Sequence, residues 1–220
     1  MTIRRTMLTM ITGAGTAAAL VLTAPAAAAA PAAQSAPPTG TSSLAALLAV
    51  DGSGFDRNWY DFDILDNAVG AVLAAKPSSP VAVLADGTVP LTAFLPNDRA
   101  FQVLAFHLTR KWYSNEADVL GAVAGKLGID TVESVLLYHV VPGATIDSVA
   151  ALKSNGAVLS TALAGQTIKV NVLSARFKLV RLIDGNRKAL DPFLVASKLD
   201  LNKGNVQIAH GISLVLQPAG

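Results

Sequence analysis

Three histidines, His107, His139 and His210, are the side chains here whose charge could change near neutral pH. A histidine metal centre usually gathers its ligands on one face of an element. None of the three has another histidine two, three or four residues away, so spacing proposes no such centre. No serine stands in a G-x-S-x-G nucleophile turn. Residues 121–127 (GAVAGKL) resemble a phosphate-binding loop but are one residue short. Leu127 stands where a Ser or Thr would hold magnesium, and the segment reads as the middle of a helix. Asp51, Asp56, Asp61, Asp63 and Asp66 crowd around Gly52 and Gly54, without the D-x-D-x-D-G order or closing Glu of a calcium loop. They read as a solvated loop with helix-start charges favoured by the dipole. The expectation is a non-catalytic chain with no cofactor and no metal.

Basic residues offer a different chemistry. Arg176, Lys178, Arg181, Arg187 and Lys188 form a stretch across an expected hairpin. Side-chain alternation puts Arg176 and Lys178 on one face and Arg181 on the other. Such a stretch suits a solvated sheet edge, or an acidic partner such as an anionic cell-wall polymer. The sequence pI near 9.0 overstates the basic character. Without Arg4 and Arg5, 15 basic residues face 15 acidic ones, and a nucleic-acid partner loses its support. The distribution is uneven: residues 44–150 carry 6 Lys+Arg and 12 Asp+Glu (net −6), whereas residues 151–220 carry 9 and 3 (net +6). If the fold keeps these halves apart, the surface is dipolar and favours head-to-tail self-association.

The elements that must position these groups follow from composition and periodicity. The 220 residues are 52% hydrophobic and 5% aromatic, so a core must be built mainly from Ala, Val, Leu and Ile. There is no cysteine, which excludes disulfides and thiol chemistry. Residues 1–29 read as a signal peptide: Arg4 and Arg5, an apolar stretch, then an alanine-rich end. Residues 30–43 read as a flexible Pro/Ala/Ser/Thr-rich linker. No second stretch of membrane-spanning length follows, so no stable span is expected after cleavage. From residue 44 the pattern predicts helices over 62–75 (capped by Asp61 or Asp63), from Asn97, over 116–127, from an Asp130/Glu133 capping box to about 137, and over 147–152. It predicts strands over 81–85 and 89–94 around an Asp86-Gly87 hairpin turn, and over 168–173, 177–183, 190–196, 206–209 and 212–216. Helices early and strands late make the class α+β.

Three segments carry a resemblance to a known family. Residues 92–101 (TAFLPNDRAF) look like the first motif of the fasciclin (FAS1) domain, matching at Thr92, Phe94, Pro96 and Asp98, with Asn97 in place of the usual Thr. Residues 136–143 (LLYHVVPG) match its tyrosine–histidine motif through Tyr138 and His139. Residues 210–218 (HGISLVLQP) resemble its closing motif, with His210 in place and Ser213 where Asp is usual. Order and spacing agree over residues 44–218. The resemblance implies a β-wedge of about seven strands with helices packed beside it. It implies a secreted bacterial domain, extracellular or associated with the cell wall, that adheres to a cell surface, matrix protein, cell-wall component or its own copies. The motif residues are the candidate partner-binding positions; beside that, His139 reads as a satisfied polar group in a mostly buried place that ties loops together, and His210 as having a similar organising role. A wedge holding a small apolar ligand is the alternative.

Overall fold

The structure, a computed structural model, describes residues 40–51 and 54–219. The expected signal peptide and most of the expected linker lie outside the described residues. Within residues 40–43 the backbone is tied down: Gly40 N–H donates to Gly204 O, Val206 N–H donates to Gly40 O, and Ser42 N–H donates to Asn205 Oδ1.

The class is α+β. A short helix α1 (Leu44–Leu48) precedes α2 (Asp63–Ala75), which buries Ile64, Leu65, Ala68, Val69 and Val72 at helical spacing. Neither Asp61 nor Asp63 caps α2. Phe62 holds the cap position without a side-chain bond, and Asp98 Oδ1 accepts the Ile64 N–H at 2.9 Å from outside the helix. Strand β1 (Leu91–Pro96) leads into α3 (Asp98–Thr109), where Asn97 Oδ1 accepts the Ala100 N–H at 3.0 Å, an N-cap legible in the sequence. Helix α4 (Glu116–Leu127) contains the segment that resembled a phosphate loop. One residue, Gly128 (φ 74°), joins α4 to α5 (Ile129–Tyr138). That junction leaves no side chain to cap α5, so the expected capping box does not form. Glu133 pairs instead with Lys76 and Ser79.

Strand β2 (Val140–Pro142) follows, then α6 (Ser148–Lys153), β3 (Val158–Ser160), β4 (Thr167–Ser174), β5 (Leu179–Ile183) and β6 (Gln207–Ile212). The described residues thus hold six strands against about seven expected. Residues 80–85 are a 3-10 helix rather than a strand: Pro80 lies in its first turn, and the Ser79 hydroxyl accepts the Val81 N–H. Its expected partner β1 pairs elsewhere, antiparallel to β2 (Leu91↔Pro142) and parallel to β6 (Leu91↔Gln207). Around Pro192, residues 190–196 make only isolated bridges, Phe193 to Arg181 and Leu194 to Ile212. Of the two strands expected at the C-terminal end, the first is β6, which runs on to Ile212, while residues 213–216 are not strand.

Two three-stranded sheets result, in the order β2-β1-β6 and β3-β4-β5. All six β1 residues are buried, because both faces of that strand are covered. Leu91, Ala93 and Leu95 join the larger core with α1–α5, while Phe94 joins Tyr138, Ile168, Val170, Val180, Leu182, Ile212 and Leu216 in a second core between the sheets. Each fully buried Leu or Ile contributes about 1.5–3 kcal/mol.

Candidate functional site

The motif residues converge on the interior. Thr92 is fully buried in β1; its hydroxyl donates to Ala144 O at 2.7 Å and accepts from Ile146 N–H at 2.8 Å. Phe94 packs in the second core with its ring 6.4 Å from that of His210. Pro96 ends β1 opposite Ile212, and Asn97 and Asp98 open α3. Tyr138 closes α5. Its hydroxyl donates to Thr167 O at 2.8 Å and accepts the Gly185 N–H at 2.9 Å, so one side chain ties α5 to β4 and to the turn after β5. Burial pushes the phenol up to about 12.

Both interior histidines have fixed tautomers. Leu216 N–H donates to His139 Nε2 at 3.0 Å, so Nδ1 carries the proton and donates to Val135 O at 2.7 Å. Burial pushes the His139 pKa down to about 4. His210 is arranged oppositely: Asp200 N–H donates to Nδ1 at 3.2 Å, and Nε2–H donates to Ile146 O at 2.8 Å. Burial lowers its pKa as well. Each ring nitrogen already has a backbone partner, so neither imidazole has a free lone pair for a ligand. Ser213 Oγ accepts the Phe193 N–H at 3.0 Å, and a hydroxyl suffices for that bond. These residues therefore act as a frame that joins distant segments, and a partner could not touch most of them without opening the core.

The basic residues are divided by the fold. Arg176 and Lys178 lie in the turn between β4 and β5, not on a strand, so the expected strand alternation does not govern them. Arg181 lies within β5 beside Asp191, at 3.8 Å. Arg187 and Lys188 follow the Asp184-Gly185-Asn186 turn beyond the other end of β5. Among the described residues, Arg176, Lys178, Arg187 and Lys188 form no ion pair.

Apolar groups accompany the charges at the hairpin tip. Phe177 is 73% exposed and Leu173 51%, and Leu179 is exposed beside them. The register shifts between Val172 and Ser174, a bulge that leaves Leu173 unpaired and re-aims its side chain. Lys178 adopts φ 51°, a left-handed conformation that costs a non-glycine residue about 1–2 kcal/mol. The Arg176 guanidinium lies 5.6 Å from the Phe177 ring centroid. The tip is thus a cationic knob with apolar side chains among the charges. By contrast, the apolar cavity between the sheets, lined by Phe94, Val170, Leu182 and His210, has a volume of about 20 Å³. That is room for about one water, too little for an apolar ligand between the sheets.

A family model of the Fasciclin domain matches residues 67–218. The chain belongs to the fasciclin family. Fasciclin domains are in general adhesion and interaction modules, and the frame described above is how this fasciclin chain holds its two sheets and its helices together. Among solved structures, it is similar to a FAS1 domain pair from the insect cell adhesion molecule fasciclin I, at 16% identity and a TM-score of 0.48. The match covers 71% of this chain and 48% of that one, so the fasciclin chain here spans about half the length of the pair. No curated protein matches it. No helix among the described residues is long and apolar enough to cross a membrane.

Sequence reasoning missed two things in this fasciclin domain. Leu173, Phe177 and Leu179 fall in the expected strands 168–173 and 177–183, with nothing to mark them as exposed; the structure puts Phe177 in the turn and Leu173 and Leu179 at the strand ends beside it. Asp61 and Asp63 read as solvated, yet both are buried, and Asp61 meets Asp98 and Glu116 from distant segments. The absence of a calcium-loop pattern hid a cluster assembled by tertiary packing.

Proposed function

We propose that this fasciclin domain is a non-catalytic adhesion domain that associates with its own copies, the tip of the β4–β5 hairpin on one molecule meeting the acidic helical side of the next. The observation that carries the reading is the tip itself: Arg176 and Lys178 unpaired, with Phe177, Leu173 and Leu179 exposed around them. Charge complementarity supports it. Asp56 and Asp118 are exposed on the segment that forms α1–α5, β1 and β2, whose net −6 also counts the buried Asp61, Asp63, Asp98 and Glu116, whereas β4, β5 and their turns carry the basic excess. A contact between two different patches is heterologous, and it extends into chains rather than closing as a dimer unless its rotation closes a ring. Such a contact between copies on facing surfaces is adhesion. In the same proposal residues 1–29 direct export, residues 30–43 link, and residues 44–218 adhere outside the cell or at its wall.

Beads coated with the chain from Ala30 onward test this. Clumping is expected at low salt, fading as ionic strength rises through about 0.1 M, where the Debye length falls to about 10 Å. The charge-reversed tip, R176E with K178E, is expected not to clump among its own copies. Clumping indifferent to both salt and charge reversal would contradict the electrostatic contact.

A further inference from the structure

Asp61, Asp98 and Glu116 come from the turn before α2, the first residue of α3 and the first residue of α4, and they meet inside the protein. They are 5%, 0% and 0% exposed. One carboxylate oxygen of each lies within 4.8 Å of one from each of the others. Two of their oxygens have backbone donors: Ile64 N–H to Asp98 Oδ1 at 2.9 Å, and Asp56 N–H to Glu116 Oε2 at 2.7 Å. Asp61 Oδ1, Asp98 Oδ2 and Glu116 Oε1 are buried with no hydrogen-bond partner. Among the described residues no Lys, Arg or His forms an ion pair with any of the three.

Buried like charges this close must be neutralised by protons or by a cation. One shared proton would settle a single pair and leave the third acid unpartnered. The N-termini of α3 and α4 favour the ionised forms of Asp98 and Glu116. We propose that Asp61, Asp98 and Glu116 form a divalent-cation site of the calcium type, pinning the starts of α3 and α4 to the turn before α2.

The donor set is oxygen only, which selects a hard cation. Oxygens within 4.8 Å of one another fit calcium, whose ligands at about 2.3–2.6 Å can stand up to about 5 Å apart. Asp61 also belongs to a second acidic triad with Asp56 and Asp63 and lines an open groove of about 290 Å³ with Phe62 and Lys198. The groove gives an ion a route in, and water to complete its coordination. The proposal is independent of the hairpin tip.

The test uses the chain from Ala30 onward, freed of metal with EDTA and titrated with CaCl2 at neutral pH, by calorimetry and by thermal unfolding. One saturable site is expected, with Tm rising by about 5–10 °C at a hundredfold excess over Kd. The rise is expected to vanish in Asp61→Asn, which keeps the side chain's size. A rise of equal size in that variant would put calcium elsewhere and overturn the assignment. Should that variant not fold, the unaltered protein suffices: Trp59, two residues from Asp61, is expected to sensitise terbium luminescence that calcium displaces. No heat, no Tm shift and no displaceable luminescence with calcium up to about 10 mM, well above the range of extracellular sites, would overturn the proposal in favour of a shared proton.

Discussion

Replacing Tyr138 by Phe is expected to lower the unfolding free energy by about 2–4 kcal/mol, read as a lower urea midpoint at unchanged slope. The change removes one oxygen and little volume, so packing alone would predict almost nothing. The cost comes from what the hydroxyl satisfies. It donates to Thr167 O and accepts the Gly185 N–H, in a side chain buried to 0% exposure. Without it, a carbonyl on β4 and an amide in the turn after β5 lose their partner, at about 1–3 kcal/mol for each group left buried and unpaired. That turn has no slack: a Cβ at Gly185 would stand 2.3 Å from the Ala219 backbone nitrogen, so the turn cannot shift toward the C-terminal segment to find another acceptor. A loss below about 0.5 kcal/mol, the scale of an ordinary surface substitution, would show that water or relaxation replaces the hydroxyl and that Tyr138 is not a clamp.

The second large effect is a pH dependence carried by His139. Burial holds its folded pKa at about 4, below the ordinary value of 6.5. Between these values the unfolded chain binds a proton at this residue and the folded one does not, so acid favours unfolding. The stabilisation is fully present above pH 6.5, is lost as pH falls toward 4, and amounts to roughly 3 kcal/mol over that window. Asp98, whose raised pKa acts in the opposite direction, would obscure this in the unaltered protein alone. The difference between the unaltered protein and His139→Gln isolates it, because Gln does not titrate and the other groups contribute equally to both. That difference, from urea unfolding at pH 7, 6, 5 and 4, is expected to shrink by roughly 3 kcal/mol. A constant difference would mean that burial does not hold the imidazole neutral.

These two residues show what the sequence makes legible. Local signals read true: Asn97 before α3, the periodic run that became α4 with its stop at Gly128, and the three motif segments at the ends of α5, β1 and β6. Errors arose where tertiary partners decide. Residues 80–85 carry β-branched valines, but Pro80 and the Ser79 cap favour a helical turn, and Gln207 Nε2 holds it by donating to Val83 O and Asp86 O. The parallel pairing of β1 with β6 joins segments far apart in the chain, and no local pattern announces it. The same distance effect hid the meeting of Asp61 with Asp98 and Glu116. The motif residues were legible as positions, and His139 and His210 as buried groups that tie segments together; which backbone groups they and Tyr138 meet is set by tertiary packing. The exposed side chains at the hairpin tip carry no motif at all.

The head-to-tail contact is tested most directly by mixing two sets of beads at low salt, one with the unaltered domain and one with R176E/K178E. The variant keeps its acidic side and loses only its tip. The account predicts that variant beads do not clump with one another but do join clumps of unaltered beads, whose tips still find the acidic side. Variant beads that clump among themselves as readily as the unaltered ones would contradict it, and the adhesive surface would then lie elsewhere on the domain.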